Sequence, residues 1–311
     1  MISLTQLEYV IAIDNYKHFA KAAEACNVTQ PTLSMQLKKM EETLNIEIFD
    51  RTKQPIVATL AGEELIQQAR IILRETKQFM ELAKNFNTNI VGEFKLGIIP
   101  TIAPYLLPYF IGSFQRNYPS VKLKIIELKT EDIIRQLNLD EIDAGILAIP
   151  LKEPNLIEEP LFYEEIKVYA QKNHPLIKKK ILESKDVLRT DIWMLSKGNC
   201  FRDQIINICS LHDSFEENIT YESSSLETLK KMVDIEGGFT LIPELAVLEL
   251  SVKKLDNIAE FKTPKPIREV GIVYARSVAK KKILQGLKQE ILNNIPEDLK
   301  DKNKGKVVEW K

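Results

Sequence analysis

The sequence has little of several features that define large protein classes. Its 311 residues include only three cysteines and three histidines. Three cysteines are too few for the disulfide framework of a secreted domain, and no apolar run approaches the roughly 18–20 residues of a membrane span. Because no charged segment followed by a long apolar stretch opens the chain, we expect no secretory signal and a cytoplasmic location.

The sequence also shows no pattern typical of a metal site, a cofactor site or a strongly basic nucleic-acid-binding domain. The histidines (His18, His174 and His212) are scattered without ligand spacing, so we predict no metal site. No glycine-rich phosphate loop is present, and we predict no cofactor. The net charge is −1, and residues 1–60 hold six basic and seven acidic side chains. Any contact with DNA must therefore come from the local placement of charge.

The first sixty residues carry the pattern of short, closely spaced helices. Apolar residues at positions 4, 7, 10 and 11 predict one helix, and the Ala-rich segment 18–26 predicts a second. Thr29 is a good N-cap for a third helix, with Pro31 in its first turn and Leu33, Leu37 and Met40 facing inward. Two short helices joined by a tight turn indicate a helix-turn-helix, and residues 46–59 predict a β-wing.

Polar residues on the third helix and in the wing are the candidate DNA contacts. Glutamine and serine can read base edges, whereas threonine, lysine and arginine suit phosphates, and the proline sets the entry of the helix. The predicted contacts are Gln30, Pro31, Thr32, Ser34, Gln36, Lys38 and Arg51. The alternative is an ordinary helical subdomain whose polar face is only solvated.

A long helix is predicted from Thr59 to about Asn87. Its apolar or small positions alternate at spacings of four and three, as in the seam of a coiled coil. They are Leu65, Ala69, Ile72, Thr76, Phe79, Ala83 and Phe86. A helix of this kind between two domains usually dimerises, and the alternative is a helix packed on its own domain. A hinge is predicted at residues 85–92.

From residue 94 the pattern changes to alternating strands and helices. Strands are predicted at 94–99, 121–127 and 144–149 with helices at 102–116 and 131–139, which makes a parallel βαβαβ unit. A second region is predicted to hold strands at 166–171, 192–195, 219–221 and 238–242 and helices at 201–211 and 225–235. Residues 268–274 are predicted to form a strand that returns to the first sheet.

The predicted architecture is a winged helix-turn-helix followed by a two-lobed α/β regulatory domain with a ligand-binding cleft. The predicted boundaries are 1–58 for the DNA-binding domain, 59–87 for the dimerising helix, 92–161 with 268–296 for lobe I, 162–267 for lobe II and 297–311 for a charged tail. We expect that tail to be frayed.

Cys200 lies where the helix predicted at 201–211 starts, and Cys209 follows nine residues later along the same helix. Nine helical residues correspond to a rise of about 13.5 Å and about 900° of rotation, which places the two sulfurs on opposite faces. A disulfide requires Cα atoms about 4.4–6.8 Å apart, so pairing of these residues would require the helix to unwind. Two cysteines on an amphipathic helix are otherwise commonly inert, and Cys26 is interpreted as a packing residue.

The sequence resembles the LysR-type transcriptional regulators. The segment Phe19–Ser34, followed by Phe49-Asp50-Arg51, is similar to the DNA-binding motif of that family almost residue for residue. Three further segments resemble the hydrogen-peroxide-sensing members of the family. They are Gly97–Pro108, Cys200–Gln204 and Ser225–Leu229.

This resemblance implies a homodimer or homotetramer that binds double-stranded promoter DNA and acts with RNA polymerase rather than an enzyme. It also implies that peroxide oxidises Cys200, that Cys209 resolves the product as a disulfide, and that Thr101 and Thr130 hold the peroxide. Asn199 stands where those members commonly have a histidine. We expect the helix start, Arg202 and Lys197 to lower the pKa of Cys200.

Two other functions remain open at this point. One is a LysR-like regulator that binds a metabolite in the cleft and has inert cysteines. The other is a thiol peroxidase, against which the helix-turn-helix, the coiled-coil pattern and the lack of a Cys-x-x-Cys motif argue.

Overall fold

The computed structural model describes residues 1–85, 90–179, 181–188, 191–209, 225–276, 278 and 280–309, and for residues 77, 78 and 81–85 only the backbone. The chain divides into two compact units. The first is Met1–Thr88 with Ser277–Ala279, and the second is Asn89–Arg276 with Lys280–Lys311. None of the helices in these described ranges has the length and apolar character that crossing a membrane requires.

The first unit is helical with one small hairpin. Its elements are α1 (Leu4–Tyr16), α2 (Phe19–Ala25), α3 (Gln30–Leu44), β1 (Phe49–Asp50), β2 (Val57–Ala58) and α4 (Leu60–Asn85). Ser3 and Gln6 form a capping box at the start of α1, and the hydroxyl of Thr29 accepts a hydrogen bond from the amide of Thr32 at the start of α3. The predicted helix-turn-helix and wing are therefore confirmed.

One apolar cluster holds the first unit together. Leu33, Leu37 and Met40 of α3 are buried in it as predicted, together with Val10 and Ile13 of α1. The helix predicted from positions 4, 7, 10 and 11 is observed as α1, and its buried face runs through Leu7, Val10 and Ile13 while Leu4 is exposed. Cys26 packs against the cluster and is only partly buried.

The long helix α4 begins on the first unit's core. Thr59 caps it, since its hydroxyl oxygen lies 2.9 Å from the amide nitrogen of Gly62. Ala69 is buried in the apolar cluster, and Leu65 packs against it, so these two seam positions contact the chain's own domain. Further along, Phe79 is 72% exposed. Residues 83 and 86 of the predicted seam lie outside the described side chains.

The second unit begins with the predicted βαβαβ arrangement. Its first elements are β3 (Gly92–Ile98), α5 (Ala103–Asn117), β4 (Val121–Glu127), α6 (Thr130–Asn138), β5 (Ala144–Ile149) and β6 (Leu156–Ala170). The strand β3 pairs in parallel with both β4 and β5. The helices follow the carboxyl ends of β3 and β4, which places the residues at the starts of α5 and α6 along one edge of the sheet.

The remaining elements complete the sheet and cover it. They are α7 (Pro175–Lys179), β7 (Ile181–Leu182), α8 (Cys200–Cys209), α9 (Leu226–Glu236), β8 (Phe239–Pro243), α10 (Glu244–Leu248), α11 (Val252–Leu255), β9 (Ile258–Phe261), β10 (Pro266–Ala275), α12 (Lys281–Asn294) and β11 (Lys306–Val307), with 3-10 helices at Ser184–Val187, Glu297–Lys300 and Lys302–Lys304. The strand order is β4-β3-β5-β10-β6-β9-β7. As predicted, β10 returns to the first sheet, antiparallel to β5.

Two predicted strands and one predicted boundary of the second region are not observed as predicted or lie outside the described residues. The strand expected at 192–195 is wrong, because only Ile192 forms a bridge, to Phe239. The strand expected at 219–221 lies outside the described residues. The boundary placed between residues 161 and 162 falls inside β6, a continuous strand that pairs with β10 along one part and with β8 along another. The domain boundaries stay predictions.

The charged tail is ordered up to residue 309, so the expectation of fraying is wrong. Leu299 is buried, and β11 pairs in parallel with β10. Lys304 contacts Glu244, and Lys152 lies 2.8 Å from the carboxylate of Glu309. A single apolar anchor and backbone pairing fix this segment even though most of its side chains are charged.

Candidate functional site

The predicted DNA-contacting residues lie together on α3 and beside the hairpin of the first unit. Gln30, Pro31 and Lys38 are exposed, and Thr32 and Ser34 are half-buried. Lys38 lies 3.9 Å from Glu42, a loose and fully solvated pair that leaves its ammonium available. Met35, 61% exposed, shares this surface, although the sequence pattern did not select it.

Two of the predicted contacts are engaged within the first unit. The side-chain oxygen of Gln36 accepts a hydrogen bond from the amide of Gln6 at 3.3 Å, so Gln36 ties α3 to α1. Arg51 pairs with Glu41, and its guanidinium carbon lies 5.8 Å from the ring centroid of Phe19. Glu41 also accepts the backbone N–H of Ile48 at 2.9 Å. Gln36 is consequently half-buried rather than fully outward-facing.

A buried thiol site lies in the second unit, where α8 begins. Cys200 is 2% exposed and is the first residue of α8. The hydroxyl of Thr130 at the start of α6, the guanidinium of Arg268 on β10 and the backbone N–H of Ala148 on β5 all favour its thiolate. The edge of the parallel sheet and the returning strand β10 thus converge on one sulfur atom.

An ion pair with no solvent exposure supports this site. Arg268 donates from Nε to Glu164 Oε1 at 2.8 Å, and both side chains are fully buried. The same guanidinium donates from Nη1 to Thr101 Oγ1 at 3.0 Å and from Nη2 to the Thr101 carbonyl at 3.3 Å. Its carbon atom lies 4.9 Å from the ring centroid of Phe201, which adds a cation–π contact.

Burial raises the pKa of the Cys200 thiol, because the loss of hydration outweighs the stabilising contacts of Thr130 and Arg268. The expectation of a lowered pKa is therefore wrong. Lys197 is exposed, and Arg202 donates to the carbonyl of Leu195 at 2.7 Å. The cation beside the sulfur is Arg268, and the helix end does not compensate for burial.

The second cysteine is equally enclosed. Cys209 is the last residue of α8 and is fully buried, and burial raises the pKa of its thiol to about 12. Both thiols are free, so α8 is intact in the reduced protein. The two cysteines occupy opposite ends of the same ten-residue helix, as the spacing predicted.

Three buried polar side chains belong to the elements that build this site. Thr101 is fully buried, and because its oxygen accepts from Arg268, its hydroxyl proton remains available for donation. Among the described residues, Thr130 Oγ1 and Gln204 Oε1 are buried and make no hydrogen bond of ordinary geometry, although the Thr130 hydroxyl lies close enough to the Cys200 sulfur to favour its thiolate. Buried polar atoms without hydrogen-bond partners lower the stability of the folded protein. Their presence here is therefore explained better by a role in binding or chemistry than by a role in folding.

Asn199 has a structural role at the start of α8. It is buried, and its side-chain oxygen accepts the backbone N–H of Phe201 at 3.2 Å. This arrangement caps the helix as asparagine commonly does. An asparagine at this position does not titrate, so the site has no imidazole next to the thiol.

Sequence reasoning missed Arg268, Glu164, Phe201 and Gln204. A signal for Arg268 was present, because an arginine opened the strand predicted to return to the first sheet, ahead of its apolar part. Its partner Glu164 could not be assigned, since several glutamates occur between positions 158 and 165. In the described ranges no group of three or more His, Cys, Asp and Glu side chains could hold a metal ion.

A helix-turn-helix unit followed by an α/β unit with a buried thiol defines a regulator with a sensing domain. Family models agree, since residues 4–63 match the bacterial regulatory helix-turn-helix protein of the lysR family and residues 88–294 match the LysR substrate binding domain. The chain belongs to the LysR family of bacterial transcription regulators.

The relatives narrow this family further. The chain is 35% identical to the hydrogen peroxide-inducible genes activator of Haemophilus influenzae. The match covers 88% of this chain and 90% of that protein. A full-length OxyR variant from Pseudomonas aeruginosa matches with a TM-score of 0.74 and 32% identity over 95% of this chain and 99% of that one. A mutant OxyR of Corynebacterium glutamicum, described as H2O2-bound, matches with a TM-score of 0.60 and 28% identity over 94% and 92% of the two chains.

Proposed function

We propose that this protein is a DNA-binding transcription regulator that senses hydrogen peroxide through a reversible Cys200–Cys209 disulfide. The observation that carries the proposal is the buried Cys200, which lies beside the guanidinium of Arg268 and the hydroxyl of Thr130. The likeness to OxyR proteins and peroxide-inducible activators supports the same chemistry.

In the first step the Cys200 thiolate attacks one oxygen of hydrogen peroxide. The O–O bond breaks, hydroxide leaves and takes up a proton to become water, and Cys200 becomes a sulfenic acid. Thr101 and Thr130 hold the peroxide, since hydroxyl groups can both donate to it and accept from it. Arg268, rather than Arg202, stabilises the negative charge that moves from sulfur to oxygen.

In the second step Cys209 resolves the sulfenic acid. Its sulfur attacks Cys200 Sγ, the S–O bond breaks as the S–S bond forms, and the leaving hydroxide takes up the proton of the Cys209 thiol to become water. Across both steps two electrons pass from the cysteine pair to the peroxide. Because a disulfide needs Cα atoms about 4.4–6.8 Å apart, α8 must unwind for this step. The refolded segment then repacks the regulatory unit and changes the DNA-bound state.

The DNA partner is a double-stranded promoter read by α3 and the wing. Gln30 and Ser34 read base edges, while Thr32 and Lys38 contact phosphates and Pro31 sets the entry of the helix. Arg51 reaches a phosphate only by leaving Glu41, and Gln36 supports α3 through Gln6. We expect a homodimer or homotetramer formed through α4, regulation together with RNA polymerase, and no enzymatic turnover.

One experiment separates this function from a metabolite-binding regulator and from a thiol peroxidase. Reduced protein is titrated with low peroxide, its disulfides are mapped by mass spectrometry, and DNA binding is repeated with Cys200→Ser and Cys209→Ser. We expect a Cys200–Cys209 disulfide and a DNA footprint that changes only when both cysteines are present. An unchanged footprint favours the metabolite regulator, and rapid peroxide turnover with a thiol donor without DNA binding favours the enzyme.

A further inference from the structure

The C-terminal segment lies directly against the helix that carries both cysteines. Residues Lys306–Glu309, the strap, include β11 and lie between β10 and α8. On one side the strap pairs with β10, where Val308 donates its backbone N–H to the Ile267 carbonyl at 2.9 Å. The pairing ends next to Arg268, the cation beside Cys200.

On its other side the strap accepts two hydrogen bonds from α8. Gln204 Nε2 donates to the carbonyl of Val308 at 2.8 Å, and Asn207 Nδ2 donates to the carbonyl of Glu309 at 2.7 Å. Gln204 is fully buried and lies in the middle of α8, whereas Asn207 lies in its last turn, two residues before Cys209. Both bonds depend on α8 being helical at these positions.

The strap is anchored without help from α8. Leu299 is buried just before it, Lys304 contacts Glu244, and Lys152 pairs with Glu309 at 2.8 Å. Beside the strap lies an open cleft of about 690 Å³, lined in part by Asn207, Ile208 and the strap itself. The last turn of α8 therefore has a fixed support on one side and free space next to it.

We propose that the strap is a latch that holds α8 in its reduced, helical form and so sets how readily Cys209 reaches Cys200. This inference rests on the proposed function and names a regulatory element of the same site. The Cys200 thiolate attacks hydrogen peroxide while the latch is closed. Resolution requires the bonds from Gln204 and Asn207 to the strap to break before the S–S bond forms and water leaves.

The test compares four full-length or nearly full-length proteins, with a fifth that carries Asn207→Ala in the shortened chain. The four are the wild type, a chain ending at Gly305, Asn207→Ala, and Asn303→Ala as the matched control in the same tail. Asn303 is exposed, and within the described part of the chain its backbone N–H donates to Asp301 and not to α8. Alanine favours a helix more than asparagine does, so weakening of α8 by Asn207→Ala cannot come from helix propensity.

Each protein is equilibrated in buffers with defined ratios of reduced to oxidised dithiothreitol. The Cys200–Cys209 disulfide is then quantified by alkylation and mass spectrometry. For the shortened chain we expect the equilibrium to shift toward the disulfide by about tenfold, which is about 30 mV for a two-electron couple. Asn207→Ala should shift it about threefold, and the shift should vanish when the same change is made in the shortened chain. Asn303→Ala should behave as the wild type.

The rates give a second readout. In a Cys209→Ser background, trapping of the sulfenic acid should give the same rate for the first step with and without the strap. When both cysteines are present, the disulfide should form faster in the chain that lacks the strap. Equal equilibria and equal resolution rates in all four proteins overturn the latch. Should the shortened chain fail to fold, Asn207→Ala alone decides the result. If the wild type forms no Cys200–Cys209 disulfide, the proposed function itself is wrong, which is a different outcome.

Discussion

Arg268 donates a hydrogen bond to the hydroxyl of Thr101 at 3.0 Å while it pairs with the carboxylate of Glu164, and all three side chains are fully buried. One guanidinium thereby connects β10, β6 and the loop before α5. It also faces Cys200 and Phe201. The thiol site and the stability of the regulatory unit consequently depend on the same residue.

Replacement of this arginine should affect stability and reactivity together. Arg268→Met leaves the Glu164 carboxylate buried without its partner, and such changes typically cost about 3–5 kcal/mol. We expect a correspondingly lower urea midpoint and slower sulfenic acid formation at Cys200. The matched control is Lys288→Met, which removes a partly exposed pair with Glu159 and should cost about 0–1 kcal/mol. Similar losses in both variants would contradict the assigned role of the buried pair.

Replacement of Thr130 should separate reactivity from stability. The hydroxyl oxygen of Thr130 is buried and makes no hydrogen bond of ordinary geometry in the described part of the protein. Thr130→Val keeps the shape and removes a polar group that costs stability, so unfolding should require at least as much urea as in the wild type. Peroxide oxidation of Cys200 should slow by about tenfold, the effect of one hydrogen bond to the reacting groups. Stopped-flow kinetics measure it, and an unchanged rate would exclude Thr130 from peroxide binding.

The reaction with peroxide should depend steeply on pH. Burial raises the pKa of Cys200 above its ordinary value, so the reactive thiolate is a small fraction at neutral pH and grows as pH rises. The rate constant should increase about tenfold per unit from about pH 6 to about pH 8 without a plateau. Asn199→His should add an inflection near the histidine pKa, about 6.5. A plateau in the wild type below neutral pH would show a lowered pKa instead.

The DNA-reading surface should respond differently at its exposed positions. Lys38→Ala should weaken binding to all duplexes and reduce the salt dependence by about one charge. Gln30→Ala should change the preferred sequence, which selection from random duplexes measures. Gln36→Ala removes the contact with Gln6, so we expect lower stability of the first unit as well as altered binding. Equal losses on selected and random DNA for all three variants would refute this division.

Self-association should depend on the exposed apolar face of α4. Phe79 is 72% exposed and occupies a predicted seam position. Phe79→Asp should convert the oligomer to smaller species in sedimentation velocity experiments, because a charge at a seam position opposes burial. Gln67→Asp provides the control, since Gln67 is an exposed residue of the same helix outside the seam. An oligomer that survives Phe79→Asp would place the interface elsewhere.

The sequence predicted the elements well where local signals agree. The start of α3 follows from the N-cap Thr29 and from Pro31 in the first turn. Its buried face follows from the helical spacing of Leu33 and Leu37. The strands β3, β4 and β5 are short apolar runs separated by amphipathic helices, so their parallel order follows from general rules of chain connection. Cys200 and Cys209 were identified as the two ends of one helix, and the structure has them there.

The features that could not be predicted from the sequence depend on contacts between residues far apart in the chain. The pairing of Arg268 with Glu164 spans 104 positions, and the bond of Gln204 to the strap also spans 104. Burial of Cys200 arises from β5, β10 and α6 together, so the direction of its pKa could not be read from Arg202 and Lys197 alone. The tail was misjudged because its charges obscured Leu299, a single apolar anchor.

The most direct test of the account is the identity of the first disulfide formed by limiting peroxide. Reduced protein is mixed with less than one equivalent of hydrogen peroxide, quenched by alkylation and digested for mass spectrometry. We predict an intramolecular Cys200–Cys209 bond, with Cys26 remaining alkylated in every sample. A bond that includes Cys26, a bond only between chains, or full alkylation of Cys200 after exposure would contradict it.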